Sequence, residues 1–327
     1  MVDIAVVGAG LAGLTVAHGL RERVSVTVFE KSRGVGGRMS TRRAEPFAFD
    51  HGAQFFRARG DRFKAFLSPM IDQGVVQPWE GRFVDIHNRQ AAPCSSTESN
   101  IAPYVCAPGM SAMAKHLRQQ LSVQLQTRVG SIAKEHSKWV LTDDQGASLG
   151  VYDWVIFAAP AEQTAELLPA ESSCYQTVAS IRMQACFSLM LGFDEPLELG
   201  FDGATVHGED ISWIALNHTK PDRAQAFSVM AHSSNQWAGV HTDDDRDQVM
   251  GHLSQQLGEI LGIDVSQASH KALHGWRYAN ALKQTGEPCL VDAEHQIGVC
   301  GDWLIEGKVE AAFNSGDALA QALTDVL

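Results

Sequence analysis

Asp3-Ile4-Ala5-Val6-Val7-Gly8-Ala9-Gly10-Leu11-Ala12-Gly13 stands at the head of the chain, and its reading decides the fold. Four apolar residues run straight into glycine, the pattern of a parallel strand covered on both faces. A helix is expected from Leu11 to Arg21 and a second strand from Val24 to Glu30, making one compact βαβ unit. Gly8 permits the tight turn, Gly10 lets the backbone approach a pyrophosphate, and Gly13 lets helix and strand pack closely. Leu11 and Ala12 open the helix, where free N–H groups and the positive dipole end favour phosphate. Glu30 closes the second strand, placed to accept ribose hydroxyls, and Lys31 beside it is a further candidate contact to the cofactor. A lone glycine pattern is weak evidence, but here strand, helix and acid all fall into place around it.

Further along, a second glycine loop decides which dinucleotide is bound. Gly34-Val35-Gly36-Gly37-Arg38-Met39-Ser40-Thr41 follows Glu30 closely, where a simple NAD-binding unit has no use for it. FAD runs on past its pyrophosphate; Gly37 allows close approach, and Arg38 can neutralise phosphate or meet flavin polar atoms. Phe49-Asp50-His51-Gly52-Ala53-Gln54-Phe55-Phe56 comes next. Gly52 and Ala53 are small enough to pass a flavin, and Gln54 can hydrogen-bond its ring. Phe55 and Phe56 read equally well as core packing. Near the end, Gly298-Val299-Cys300-Gly301-Asp302-Trp303 offers Asp302 to a ribityl hydroxyl. The helix beginning near Val309 would aim its dipole at the flavin N1–C2=O edge.

Between these motifs the chain is expected to carry a helix over 61–73 and another from about 111 to 121. Short strands follow near 123–127, 129–133, 138–142 and 148–158. From about 171 to 284 the pattern reads as an antiparallel sheet, with strands at 185–193, 211–218 and 226–232 and a helix over 243–261. The last strand, 297–300, and a final helix return to the style of the N-terminus. This predicts an α/β FAD-binding Rossmann-like domain from 1–60, 104–170 and 285–327. An inserted antiparallel-sheet α+β substrate domain takes 61–103 and 171–284.

The net charge of −12 argues against general affinity for nucleic acid or anionic membrane. Six scattered cysteines without a CxxC pair read as reduced thiols. With no signal-like opening and no apolar run of roughly 18 residues, a cytoplasmic protein is expected. No His/Cys/Asp spacing suggests a metal. Thirteen histidines are present, and none, including His51, His232 and His274, is assigned a catalytic role.

The four motifs in this order resemble the FAD-dependent amine-oxidase superfamily, and within it the chain looks most like the renalases. Ala107-Pro108-Gly109-Met110 is similar to the renalase turn that opens a helix, and His274-Gly275-Trp276-Arg277-Tyr278 to its HxWR strand. The resemblance implies a fold like p-hydroxybenzoate hydroxylase with non-covalent FAD, and matches Val129 to the position whose backbone meets adenine. It implies oxidation of dihydro-NAD(P) isomers reduced at the wrong ring carbon, with O2 reoxidising the flavin to give hydrogen peroxide. Such a substrate needs a flat wall, for which Trp276 and Tyr278 are candidates, and cations, for which Arg57, Arg59, Arg182 and Arg277 are. Each also reads as an ordinary packed aromatic or solvated arginine. An amine, porphyrinogen or polyene oxidase, and a non-catalytic flavin-binding redox sensor, remain as alternatives. The oligomeric state is open.

Overall fold

The computed structural model describes residues 1–94 and 101–327, so the stretch 95–100 of the expected 61–103 segment lies outside the described residues. Two compact units emerge. The first comprises 1–39, 113–183 and 280–327; the second comprises 40–112 and 184–279.

In the first unit a six-stranded sheet has the order Cys289–Asp292, Ile297–Cys300, Trp154–Phe157, Asp3–Val7, Ser25–Glu30, Ser122–Leu125. Neighbours are parallel except Cys289–Asp292, which turns back on Ile297–Cys300. Its central strands are almost wholly apolar because both faces are covered. The helices Leu11–Leu20 and Val309–Thr324 pack against each other. A three-stranded antiparallel meander, Val129–Glu135, Lys138–Asp143 and Ser148–Tyr152, adds Trp139 and Leu141 to the same core.

The second unit is built on a seven-stranded sheet in the order His270–Asn280, Gln184–Phe193, Phe227–Ser233, Ile211–Leu216, Gly203–His207, Phe83–His87, Gln90–Pro93. The helices Asn235–His241 and Arg246–Leu261 belong to this unit, and Ala238, Val249, Leu253, Leu257 and Ile260 join its core. Two small hairpins complete it: Thr41–Ala44 with Phe47–Asp50, and Val76–Pro78 with Tyr104–Cys106.

Several boundaries differ from the sequence reading. Residues 40–60 and 104–112 stand with the second unit, because the hairpin of Thr41–Asp50 is bonded into it: the Asn217 amide donates to the Ala48 carbonyl at 2.8 Å. Residues 171–183 stand with the first, where Cys174, Val178 and Ile181 enter its core. The single strand expected over 148–158 is two strands in two sheets. They part at Asp153, whose carboxylate accepts the Asp3 N–H and pairs with Lys138, both at 2.9 Å. The helix expected to reach Leu121 is Ala112–Arg118, since residues 119–121 bond three back and tighten into a turn. The second sheet is not purely antiparallel: Gly203–His207 runs parallel to Phe83–His87, a strand outside the expected set.

Candidate functional site

The first glycine loop sits between Asp3–Val7 and Leu11–Leu20 as the sequence implies. Gly8 has φ +110°, and a Cβ on Gly13 would lie 2.0 Å from the Gly8 carbonyl oxygen, so neither position accepts a side chain. Gly10 is different. A Cβ there would meet nothing within 4 Å, and no side chain caps the helix that Leu11, Ala12 and Gly13 open. A helix N-terminus with an uncapped first turn and open space in front can take an anion. Glu30 is 7% exposed; its Oε2 accepts the Ala9 N–H at 2.9 Å and its Oε1 the Ser32 N–H at 2.8 Å. Each oxygen keeps a lone pair for a hydroxyl. Lys31 turns away to Gln163 Oε1 at 3.0 Å, and burial, then the neighbouring Arg128, lower its pKa. Val129 is buried at the start of its strand, close in the chain to Thr127, whose N–H donates to the Glu30 carbonyl at 2.9 Å.

The second glycine loop lies directly on the first. The Gly36 N–H donates to the Ala9 carbonyl at 2.8 Å, and a bridge joins Gly10 and Gly36. A Cβ on Gly37 would come 3.5 Å from the Gly10 Cα. From this loop Arg38 reaches Asp302 in a two-pronged pair, Nη1 to Oδ2 at 2.9 Å and Nη2 to Oδ1. Asp302 is 4% exposed and opens a short 3-10 turn after Ile297–Cys300. The helix at Val309 likewise starts without a side-chain cap. Segments hundreds of residues apart thus meet at one end of the parallel sheet, where ligands of such sheets bind.

The second unit holds the remaining candidates. Gly52, Ala53 and Gln54 lie in the loop after Phe47–Asp50. The Gln54 amide is committed inside the protein: Nε2 donates to the carbonyls of Asp50 and, at 3.1 Å, Gly52, while Oε1 accepts Lys220 Nζ at 3.1 Å. That replaces the expected bond to a flavin ring with one to the loop itself. Phe56 is core, packed with Phe63 and Tyr104, whereas Phe55 is half-buried beside Trp79, Phe83 and Trp213. The Arg57 guanidinium lies over the Phe55 ring at 4.9 Å, and its Nε donates to the Ile101 carbonyl at 3.0 Å.

Trp276 donates its indole N–H to the His51 carbonyl at 2.8 Å and stacks on the His51 imidazole, with ring centres 5.3 Å apart. His274 meets both rings edge-on. Tyr278 alternates onto the same side of the strand as Trp276; Arg277 falls on the other side, exposed and paired with Asp243. Arg277, expected as a candidate cation for a substrate pyrophosphate, thus lies on the opposite side of the strand from Trp276. Arg182 is also spent locally, donating to the carbonyls of Ala179 and, at 3.0 Å, Ile181.

Burial, reinforced by neighbouring His274 and Arg42, pushes His51 down to about 4; burial, reinforced by Lys220, does the same to His232. Both are neutral imidazoles at neutral pH. Asp50 is wholly buried: burial alone would raise its pKa, but Lys220 and Arg223 outweigh that and hold it below the ordinary carboxylate value. The sequence reading missed Lys220 and Arg223. They sit in an irregular turn after Ile211–Leu216, and only the partner carboxylate brought from Phe47–Asp50 reveals them. Among the described residues no group of three or more His, Cys, Asp or Glu is placed to hold a metal, and no helix is long and apolar enough to cross a membrane.

Residues 84–324 match the model of the flavin containing amine oxidoreductases, and residues 6–69 that of the NAD(P)-binding Rossmann-like domain. The chain belongs to the flavin-containing amine oxidoreductase family. As in that family, FAD is the cofactor. The fold is similar to a solved putative protoporphyrinogen oxidase from Exiguobacterium sp. 255-15, with a TM-score of 0.79, 12% identity and 99% of each chain covered. It is also similar to cyclohexylamine oxidase from Brevibacterium oxydans IH-35A, with a TM-score of 0.75, 14% identity and 99% of each chain covered. A putrescine oxidase structure with bound putrescine gives a TM-score of 0.72 at 14% identity, again over 99% of both chains. For a flavin-containing amine oxidoreductase, the open face of Gly10, the uncapped helix and the buried Glu30 fit a dinucleotide cofactor.

Proposed function

We propose that this flavin oxidoreductase oxidises dihydro-NAD(P) isomers other than the 1,4 form. In balance, dihydro-NAD(P), a proton and O2 give NAD(P)+ and hydrogen peroxide. Bound FAD would supply the two-electron acceptor, with O2 as the final oxidant. Gly8, Gly10, Leu11, Ala12, Gly13, Glu30, Gly37, Arg38, Val129, Asp302 and Val309 would hold it non-covalently. Trp276 is the wall on which a nicotinamide ring would stack, with Tyr278 and Arg57 as further substrate contacts.

One observation carries this reading: among the described residues, the groups at and near Trp276 are weakened as bases, His274 beside it being lowered by burial and then by Arg42 and Arg246. His51 and His232 are held near 4, and Asp50 is tied to two cations. A dihydropyridine needs no base, because the ring-nitrogen lone pair expels the hydride as the ring becomes aromatic. An amine arrives mainly as an ammonium ion and must first lose a proton. The family's description favours that amine-oxidising alternative in the abstract.

Anaerobic mixing of the FAD-loaded protein with borohydride-reduced NAD+, which contains 1,2-, 1,6- and 1,4-dihydro isomers, tests the proposal. Rapid bleaching of the flavin band, with 1,4-NADH giving little, is the expected result. No bleaching by the mixture, with bleaching by a primary amine, would move the chain to the amine oxidases. Slow reduction by every donor would leave a redox-sensing flavoprotein.

A further inference from the structure

Lys220 is fully buried, yet all its donors are used. Nζ reaches Asn217 Oδ1 at 3.0 Å, Gln54 Oε1 at 3.1 Å and Asp50 Oδ2 at 3.3 Å, and it lies over the Trp79 ring at 5.2 Å. Arg223, equally buried, already gives Asp50 Oδ2 two bonds, at 2.7 and 3.1 Å. Two cations therefore share one carboxylate, and neutralising Asp50 does not require Lys220. What Lys220 does beyond this is donate to the Gln54 amide oxygen, while His232 Nε2 lies 3.4 Å from the amide nitrogen. An ammonium has donors and no acceptor, so it compels the amide oxygen to point at it and turns the amide N–H groups the opposite way. Those N–H groups grip the carbonyls of Asp50 and Gly52, on either side of His51. From the other direction, Ser188 Oγ at 2.7 Å and Trp276 Nε1 at 2.8 Å hold the His51 carbonyl.

We propose that Lys220 is a positioning residue: by dictating the direction of the Gln54 amide, it sets the Asp50–Gln54 loop and with it the seat of His51 against Trp276. This rests on the reading of the Trp276 face as the substrate face. Without the ammonium the buried amide oxygen loses its donor, the amide is pinned from one side only, and the loop slackens.

The charged and titratable groups facing Lys220 are Asp50, Arg223 and His232. Burial lowers Lys220 to about 8 against the raising effect of Asp50, while His232 titrates far below. A neutral amine can accept as well as donate, so the direction of the amide is no longer compelled above that pH.

The test compares wild type, Lys220→Met, Gln54→Leu and the double variant, all loaded with FAD. Hydrogen exchange followed by mass spectrometry should show amides 51–54 exchanging about tenfold faster in each single variant, the rest of the sheet holding. The KM for the competent dihydro isomer should rise about tenfold. The double variant should add nothing to either single one. Wild-type KM should rise above pH 8, and Lys220→Met should lack that limb. Additive effects, unchanged exchange at 51–54, or loss of protection spread across the whole unit would overturn the proposal. If wild type oxidises no dihydropyridine, the functional reading fails, while the exchange and additivity measurements still decide the role of Lys220.

Discussion

Gly10 and Gly13 are three residues apart and fail for opposite reasons when given a methyl group. On Gly13 the methyl would lie 2.0 Å from the Gly8 carbonyl oxygen, which is backbone and cannot step aside. Gly13→Ala should lose about 3 kcal/mol or more of stability, read by urea unfolding of the cofactor-stripped protein. On Gly10 the methyl meets no protein atom within 4 Å. Gly10→Ala should leave that unfolding curve within about 0.5 kcal/mol of wild type. Its FAD dissociation constant should nonetheless rise about tenfold or more, because the methyl stands where the pyrophosphate would approach. Equal losses of stability in the two variants would count against Gly10 as a phosphate contact. At both positions the residue type was legible from the sequence: Gly13 because helix and strand leave no room for a Cβ, Gly10 because a pyrophosphate is expected to approach its backbone. Gln54 was not: its type suggested a ligand contact, and its partners come from its own loop and from the distant Lys220 and His232.

Among the elements, the long helix of the second unit shows how local chemistry sets a boundary. The apolar periodicity suggested a start near Asp243, but the helix begins at Arg246. Asp245 decides this, its carboxylate accepting the N–H groups of Asp247 at 3.0 Å and Gln248 at 3.1 Å. Gly262, at φ +66°, ends the helix in the left-handed region. Asp245→Ala should cost about 1 kcal/mol of stability with flavin binding unchanged, a split that thermal melting and FAD titration together resolve. The strand expected to reach His218 ends at Leu216, because Asn217 begins a 3-10 turn. The Asn217 side chain is drawn to the Ala48 carbonyl, a partner 169 residues away. Short-range pattern cannot contain such a stop.

For the molecule as a whole, the buried histidines dictate how stability follows pH. His51 and His232 titrate near 4 when folded and near 6.5 when unfolded. The unfolded chain therefore binds more protons between those values, and protonation pulls the equilibrium toward it. The stabilisation is fully present above pH 6.5 and is lost progressively as the pH falls toward 4. Between pH 7 and pH 5 the unfolding free energy should drop by about 2 to 4 kcal/mol from these two groups. Urea unfolding at the two pH values measures it, and His232→Gln should remove about half the drop. A curve flat across that window would mean that the imidazoles are not buried neutral.

By itself the sequence determined the βαβ opening, the order of the cofactor motifs and the return of the chain to that domain at Asp302. These depend on glycine conformation and on buried apolar strands, both encoded by residues close together. Tertiary structure alone decided that Gly36 lies on Gly10, that Arg38 pairs with Asp302, and that Arg277 leaves the face of Trp276. It also assembled Asp50, Lys220, Arg223 and Gln54 into one buried network. The physical reason is that a buried charge is tolerable only beside its partners. Here those partners come from segments about 170 residues apart, a separation that no local pattern records.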